Sequence, residues 1–66
     1  MNIQVNGENR EIRPGETLAG LVKKLKPGKQ RVAVLLNDKL IAAEKRAGHI
    51  LKEDDCVEIL TFAGGG

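Results

Sequence analysis

One stretch of this chain is long enough and patterned enough for a helix. Leu18, Leu21, Val22 and Leu25 fall at i, i+3, i+4 and i+7 and form a single apolar stripe. Thr17 stands where a helix N-cap belongs, its hydroxyl available to an early backbone N–H. The capping box is incomplete, because Gly20 occupies the place of a Glu or Gln. Pro27-Gly28 stops the pattern. A helix this short, with a glycine inside it, does not hold alone and needs a sheet to pack against. The remaining apolar residues must supply that sheet.

They have the period for it. Met1-Asn2-Ile3-Gln4-Val5 alternates apolar and polar, and Asn6-Gly7 follows, a turn pair in which both residues tolerate positive φ. Glu8 to Ile12 returns as the second strand, and Arg13-Pro14-Gly15 ends it. Arg31 to Leu36 is a third strand rich in β-branched and aliphatic residues. Asn37-Asp38 turns the chain into a short strand, Lys39-Leu40-Ile41. Ala42 to His49 is polar, with room for one helical turn. Ile50 and Leu51 read as anchors that pin this loop to the core. Lys52 to Asp55 is a charged turn, and Cys56 to Phe62 is the last strand. A sheet with one helix across it is an α+β fold. The helix is long enough to cross between parallel strands, so the first and last strands are expected side by side in the middle. Residues 1–62 make the domain, and 63–66 a flexible Gly-rich tail.

Size and composition narrow the function. A single domain of 66 residues buries only about 60% of its unfolded surface and leaves little wall for an enclosed pocket. One cysteine, Cys56, excludes an internal disulfide and a thiolate metal cluster, which suits a reducing compartment. No stretch approaches a membrane span and no signal pattern opens the chain, so a soluble, cytoplasmic protein is expected. The formal charge of +2, from 11 basic and 9 acidic residues, is too balanced for nucleic acid as the main partner. Phe62 is the sole aromatic, so there is no base-stacking platform. Lys23, Lys24, Lys26, Lys29 and Arg31 cluster near the helix end, where positive charge complements the helix dipole.

Candidate reactive groups are few. Cys56 follows Glu53, Asp54 and Asp55 and lacks the electropositive setting of a reactive thiol, so it reads as a strand-start residue. His49 has no ligand partner in sequence and reads as a loop surface residue. The acidic run lacks the spacing of a calcium loop. No nucleophile–base pair or metal set can be assembled, and an enzyme in its own right is not expected. What remains is the end of the chain, Phe62-Ala63-Gly64-Gly65-Gly66. Glycines lose the most freedom on ordering and cannot fill a core. Such an end threads into another protein's narrow site and presents its carboxylate there, provided Gly66 is the terminus.

Together these residues resemble a family. Met1-Asn2-Ile3-Gln4-Val5-Asn6-Gly7-Glu8 is similar to the first hairpin of the ThiS sulfur carriers of thiamine biosynthesis, which are ubiquitin-like β-grasp domains. Val32-Ala33-Val34-Leu35-Leu36-Asn37 resembles that family's central V-A-V-x-x-N strand and turn. Asp55-Cys56-Val57-Glu58-Ile59-Leu60 resembles its D-x-V-E-I strand, and Gly64-Gly65-Gly66 carries its terminal Gly-Gly. No motif is decisive alone, but length, order and spacing agree over the full chain. Asn37-Asp38 departs from the usual Asn-Gly, Ala42-Ala43 from Pro-Arg, and Arg46 from an aromatic or His.

The resemblance implies a carrier cycle with no bound cofactor. A ThiF-like adenylating enzyme uses ATP to activate the Gly66 carboxylate, with Gly64 and Gly65 recognised along the tail. Sulfur, usually from a cysteine desulfurase, converts the adenylate to a thiocarboxylate, which serves a ThiG-like thiazole synthase. The carrier is expected to be a monomer when free. The alternatives are a MoaD-like carrier for molybdopterin synthesis, whose chains are usually longer, a ubiquitin-like protein modifier, and a plain interaction domain. Strand alternation sends Leu35, Leu60 and Phe62 to the face away from the helix, a candidate docking patch beside the tail.

Overall fold

A computed structural model of the chain describes residues 1–26 and 31–61. Two hairpins flank one strand. β1 (Asn2–Val5) and β2 (Glu8–Glu11) pair antiparallel, as do β3 (Val32–Leu36) and β4 (Lys39–Leu40). The last strand, β5 (Cys56–Thr61), lies between them, giving the order β2-β1-β5-β3-β4. β5 runs parallel to β1, with Val5 beside Val57, and antiparallel to β3, with Val34 opposite Ile59. The first and last strands are therefore adjacent at the centre, and the fold is the β-grasp arrangement.

Both hairpin turns take their shape from residues at positive φ. Asn6 (φ 51°) and Gly7 (φ 83°) close the first; Asn37 (φ 52°) and Asp38 (φ 69°) close the second. Two successive left-handed residues match the twist of the strands they join. Asp38 does this without glycine's freedom, which a short polar side chain tolerates.

The helix α1 (Leu18–Leu25) starts where its cap predicts. Thr17 is extended, and its hydroxyl accepts the Gly20 N–H at 3.1 Å. Gly20 sits beside that cap. A Cβ there would sit 2.8 Å from Glu16 Oε2 and 3.2 Å from Thr17 Oγ1, so the missing side chain leaves room for the cap and for Glu16. Glu16 then pairs with Lys24 at 2.9 Å.

Leu18, Leu21 and Val22 bury against Ile3, Val5, Val34, Val57 and Ile59 of the sheet, with Leu51 completing the core. Leu25 packs at its margin. The polar loop forms a 3-10 helix, Ala43–Gly48, which packs against α1. Only one of the two expected anchors is buried: Leu51 is 2% exposed and Ile50 61%. The backbone explains the split. Ile50 forms a bridge with Thr17, while Leu18 N–H bonds to His49 O and Leu51 N–H to Glu16 O. The segment is extended, so neighbouring side chains point to opposite sides and only one meets the core. His49 is half-buried rather than a free surface residue.

Candidate functional site

β5 carries the chain toward its last residues, and its placement is over-determined. The parallel ladder with β1 steps from Gln4 N–H on Asp55 O to Asn6 N–H on Val57 O, both 2.9 Å. At the next step the turn has begun and the side chain of Asn6 takes over. Ile59 N–H donates to Asn6 Oδ1 at 2.8 Å, and Asn6 Nδ2 donates to Ile59 O at 3.3 Å. Asn37 does the same at the other end of the strand. Its Oδ1 accepts Cys56 N–H at 3.0 Å, its backbone N–H donates to Cys56 O at 2.8 Å, and its Nδ2 reaches Asp55 at 3.1 Å. Each hairpin thus places a left-handed asparagine on one end of β5.

The side chains of β5 alternate cleanly. Val57 and Ile59 are buried under the helix; Cys56, Glu58 and Leu60 are exposed on the other face. Leu60 lies opposite Ala33 and diagonal to Leu35, so two members of the expected patch share this face. Leu35 is half-buried, and Leu60 is 48% exposed. The 3-10 helix packs on the α1 side and leaves this face open. Leu40, directly opposite Leu35, is 71% exposed and extends the strip to the sheet edge. It was not among the residues expected from sequence, although the register of a two-residue turn pairs it with Leu35. The same face turns polar over β1 and β2, where it carries Asn2, Gln4, Asn9 and Glu11. Phe62 and the tail residues Gly64, Gly65 and Gly66 lie outside the described residues.

Cys56 is exposed at the polar side of this face, its sulfur 3.8 Å from Gln4 Oε1. Among the described residues no three His, Cys, Asp or Glu side chains are placed to hold a metal ion, and no helix is long and apolar enough to cross a membrane.

The family model for ThiS matches residues 3–66, nearly the whole chain and through the glycine run. The chain belongs to the ThiS family, the sulfur carriers of thiamine biosynthesis. A crystal structure of the thiamine biosynthesis protein ThiS from Geobacter metallireducens superposes with a TM-score of 0.82 at 32% identity, covering all of both chains. A solution structure of a thiamine biosynthesis protein from the same organism gives 0.78 at 33% identity, covering all of this chain and 88% of the other. Among curated proteins, a thiazole synthase of Magnetococcus marinus is 36% identical over all 66 residues. The chain spans 20% of that relative's length.

Two departures from the usual ThiS pattern have structural accounts. Asp38 replaces the second turn residue and adopts the same left-handed backbone. Arg46, which sequence reasoning left without a role, donates from Nη2 to Val32 O at 3.0 Å. β4 is only two residues long, and Ile41 N–H meets Val34 O at 2.9 Å. Beyond that point the guanidinium takes the place of a strand partner for the start of β3.

Proposed function

We propose that this chain carries sulfur on the carboxylate of Gly66 and delivers it for thiazole formation. The observation that carries the proposal is the family match, which runs through Gly64-Gly65-Gly66. A carboxylate is a poor acyl donor because oxide would have to leave. A ThiF-like enzyme supplies a better leaving group: the carboxylate oxygen attacks the α-phosphorus of ATP, and pyrophosphate departs. A donor persulfide, such as that of a cysteine desulfurase, then attacks the acyl carbon and displaces AMP. A thiol cleaves the resulting acyl disulfide, leaving a thiocarboxylate on this chain and a disulfide on the donor side. This chain holds no cofactor of its own and acts as the co-substrate. Gly64 and Gly65, without Cβ atoms, let an enzyme close around the backbone of the tail.

The receiving partner is a thiazole synthase. A protein of that name contains a segment similar to this whole chain, which supports a working association between the two. Leu35, Leu60 and Phe62 form the docking patch for the adenylating enzyme and the synthase, and Leu40 extends it. Apolar side chains on a face that no described element covers support a partner there. A cytoplasmic setting fits this chemistry.

The test is an intact-mass measurement after incubation with ATP, the adenylating enzyme and a sulfur source. Replacement of one oxygen by sulfur at Gly66 is expected, and deletion of Gly66 should abolish it while leaving the fold unchanged. Protein-sized adducts would instead mark a modifier. Sulfur loading of the Gly66-deleted chain, or no loading of the intact one, would overturn the proposal. Leu60→Glu should fold normally and lose loading and transfer.

A further inference from the structure

The basic residues near the helix end differ in their surroundings. Lys24 is committed to Glu16 at 2.9 Å. Lys23 and Lys26, three residues apart, lie on another side of α1 and face the 3-10 helix. There they line an open groove of about 370 Å³ with Arg46. Its floor is aliphatic, including Ala19, Val22 and Val32, and no Asp or Glu among the described residues lines it. Lys24–Glu16 is the one salt bridge among the described residues. Arg46 spends Nη2 on a backbone carbonyl, and no acceptor among the described residues meets its buried Nε. Glu44 and Lys45 of the 3-10 helix are both exposed and offset each other in charge.

The position of the groove is informative. Val32 on its floor is the register partner of Thr61, the last described residue of β5. The groove therefore opens beside the root of the tail, on the helix side of the sheet. The apolar strip of Leu60, Leu35 and Leu40 flanks the same root on the opposite side. Thr61, which leads into the tail, sits at this corner.

We infer that the groove receives an acidic segment of the enzyme that engages the tail: an aliphatic side chain on the floor, with carboxylates at Lys23, Lys26 and Arg46. This rests on the carrier reading above. The choice of occupant follows from charge complementarity: three cations, with no carboxylate beside them among the described residues, surround an apolar floor. Cations at an interface rim act mainly on the rate of encounter and its salt dependence. The apolar strip supplies contact area; the groove supplies steering and orientation.

The experiment measures association of the full chain with immobilised cognate adenylating enzyme and, separately, thiazole synthase, across ionic strength. The variants are Lys23→Glu/Lys26→Glu, the milder Lys23→Gln/Lys26→Gln, and a charge-matched control, Arg10→Glu/Lys52→Glu, on exposed residues elsewhere. Amide spectra confirm the fold of each. For at least one enzyme the groove reversal should slow association by about tenfold or more at low salt. That loss should shrink at about 1 M salt, where screening acts within about 3 Å. The Gln pair should fall between, and the control should stay near the parent. Equal slowing by the control would reduce the effect to net charge and overturn the inference. Unchanged association of the groove variants with both enzymes would also overturn it while leaving the carrier reading intact. Failure of the parent chain to bind either enzyme would instead remove the carrier reading on which the groove depends. Titration with inorganic phosphate is the last arm. Saturable shifts confined to the groove, with no effect of the variants on enzyme binding, would make it a small-anion site instead.

Discussion

Replacing Asn6 by glycine separates what the turn needs from what β5 needs. The backbone at Asn6 sits at φ 51°, which glycine adopts without strain, and Gly7 already follows. The hairpin is retained, and only the amide is lost. Two hydrogen bonds go with it, Ile59 N–H on Oδ1 at 2.8 Å and Nδ2 on Ile59 O at 3.3 Å. A net contribution of about 1 kcal/mol suits the short bond, and about half that the long one. The added freedom of glycine in the unfolded chain costs roughly 0.5 kcal/mol more. The expected loss is about 2 kcal/mol, or about 10 °C in Tm for a domain of this size. Urea unfolding followed by circular dichroism measures the free energy, and amide exchange reads the site. Ile59 N–H should lose protection beyond the global loss, because its acceptor is gone. Asn6→Asp keeps the acceptor and should lose less. A Gly variant within about 0.5 kcal/mol of the parent, the scatter of ordinary surface substitutions, with Ile59 still protected, would refute the clamp.

The buried and exposed members of the Ile50-Leu51 pair should part company in the same assay. Leu51→Ala is expected to cost about 3 kcal/mol as a core truncation, and Ile50→Ala to stay within about 0.5 kcal/mol; similar losses for both would contradict the assigned burial. Asp38→Gly should raise stability by about 0.5 kcal/mol, since relief at φ 69° outweighs the entropy added to the unfolded chain. A loss of that size would mean that the Asp38 side chain holds the turn.

The elements legible in sequence are those whose causes are local. Asn6-Gly7 set a turn, Thr17 set a helix start, and the spacing of Leu18, Leu21, Val22 and Leu25 set the buried stripe. Even the parallel pairing of β1 and β5 followed, because a single helix after a hairpin must cross the sheet. What escaped the reading depends on partners distant in the chain. Asn6 and Ile59 are 53 residues apart, and nothing near Asn6 announces that its amide will extend a ladder. Arg46 looked like a departure from pattern because the carbonyl it satisfies is exposed only by the shortness of β4. Ile50 was misread for the opposite reason. Two adjacent aliphatics look like one anchor until an extended backbone divides them. Leu40 was within reach, since a two-residue turn fixes Leu35 opposite Leu40.

The two asparagine clamps belong to one design. On the carrier reading, β5 is pulled on whenever an enzyme binds the tail, and a sheet resists such pulling only through its ladders. β5 has the central place, with β1 on one side and β3 on the other, so both of its edges are paired. The β1 ladder is short, registering only Gln4 with Cys56 and Val5 with Val57. Asn6 lengthens it by a step toward Leu60, and Asn37 secures the start of the strand. On the carrier reading, the free energy of gripping the tail is then spent on the tail and not on fraying β5. The surface beside the root keeps a fixed orientation as well, because Leu60 follows the clamped Ile59 by one residue. An Asn6 variant should therefore weaken partner binding beyond its effect on the folded fraction, whereas a stability-matched core variant such as Leu51→Val should not. Equal binding by the two, at equal folded fraction, would leave the clamp a purely structural device.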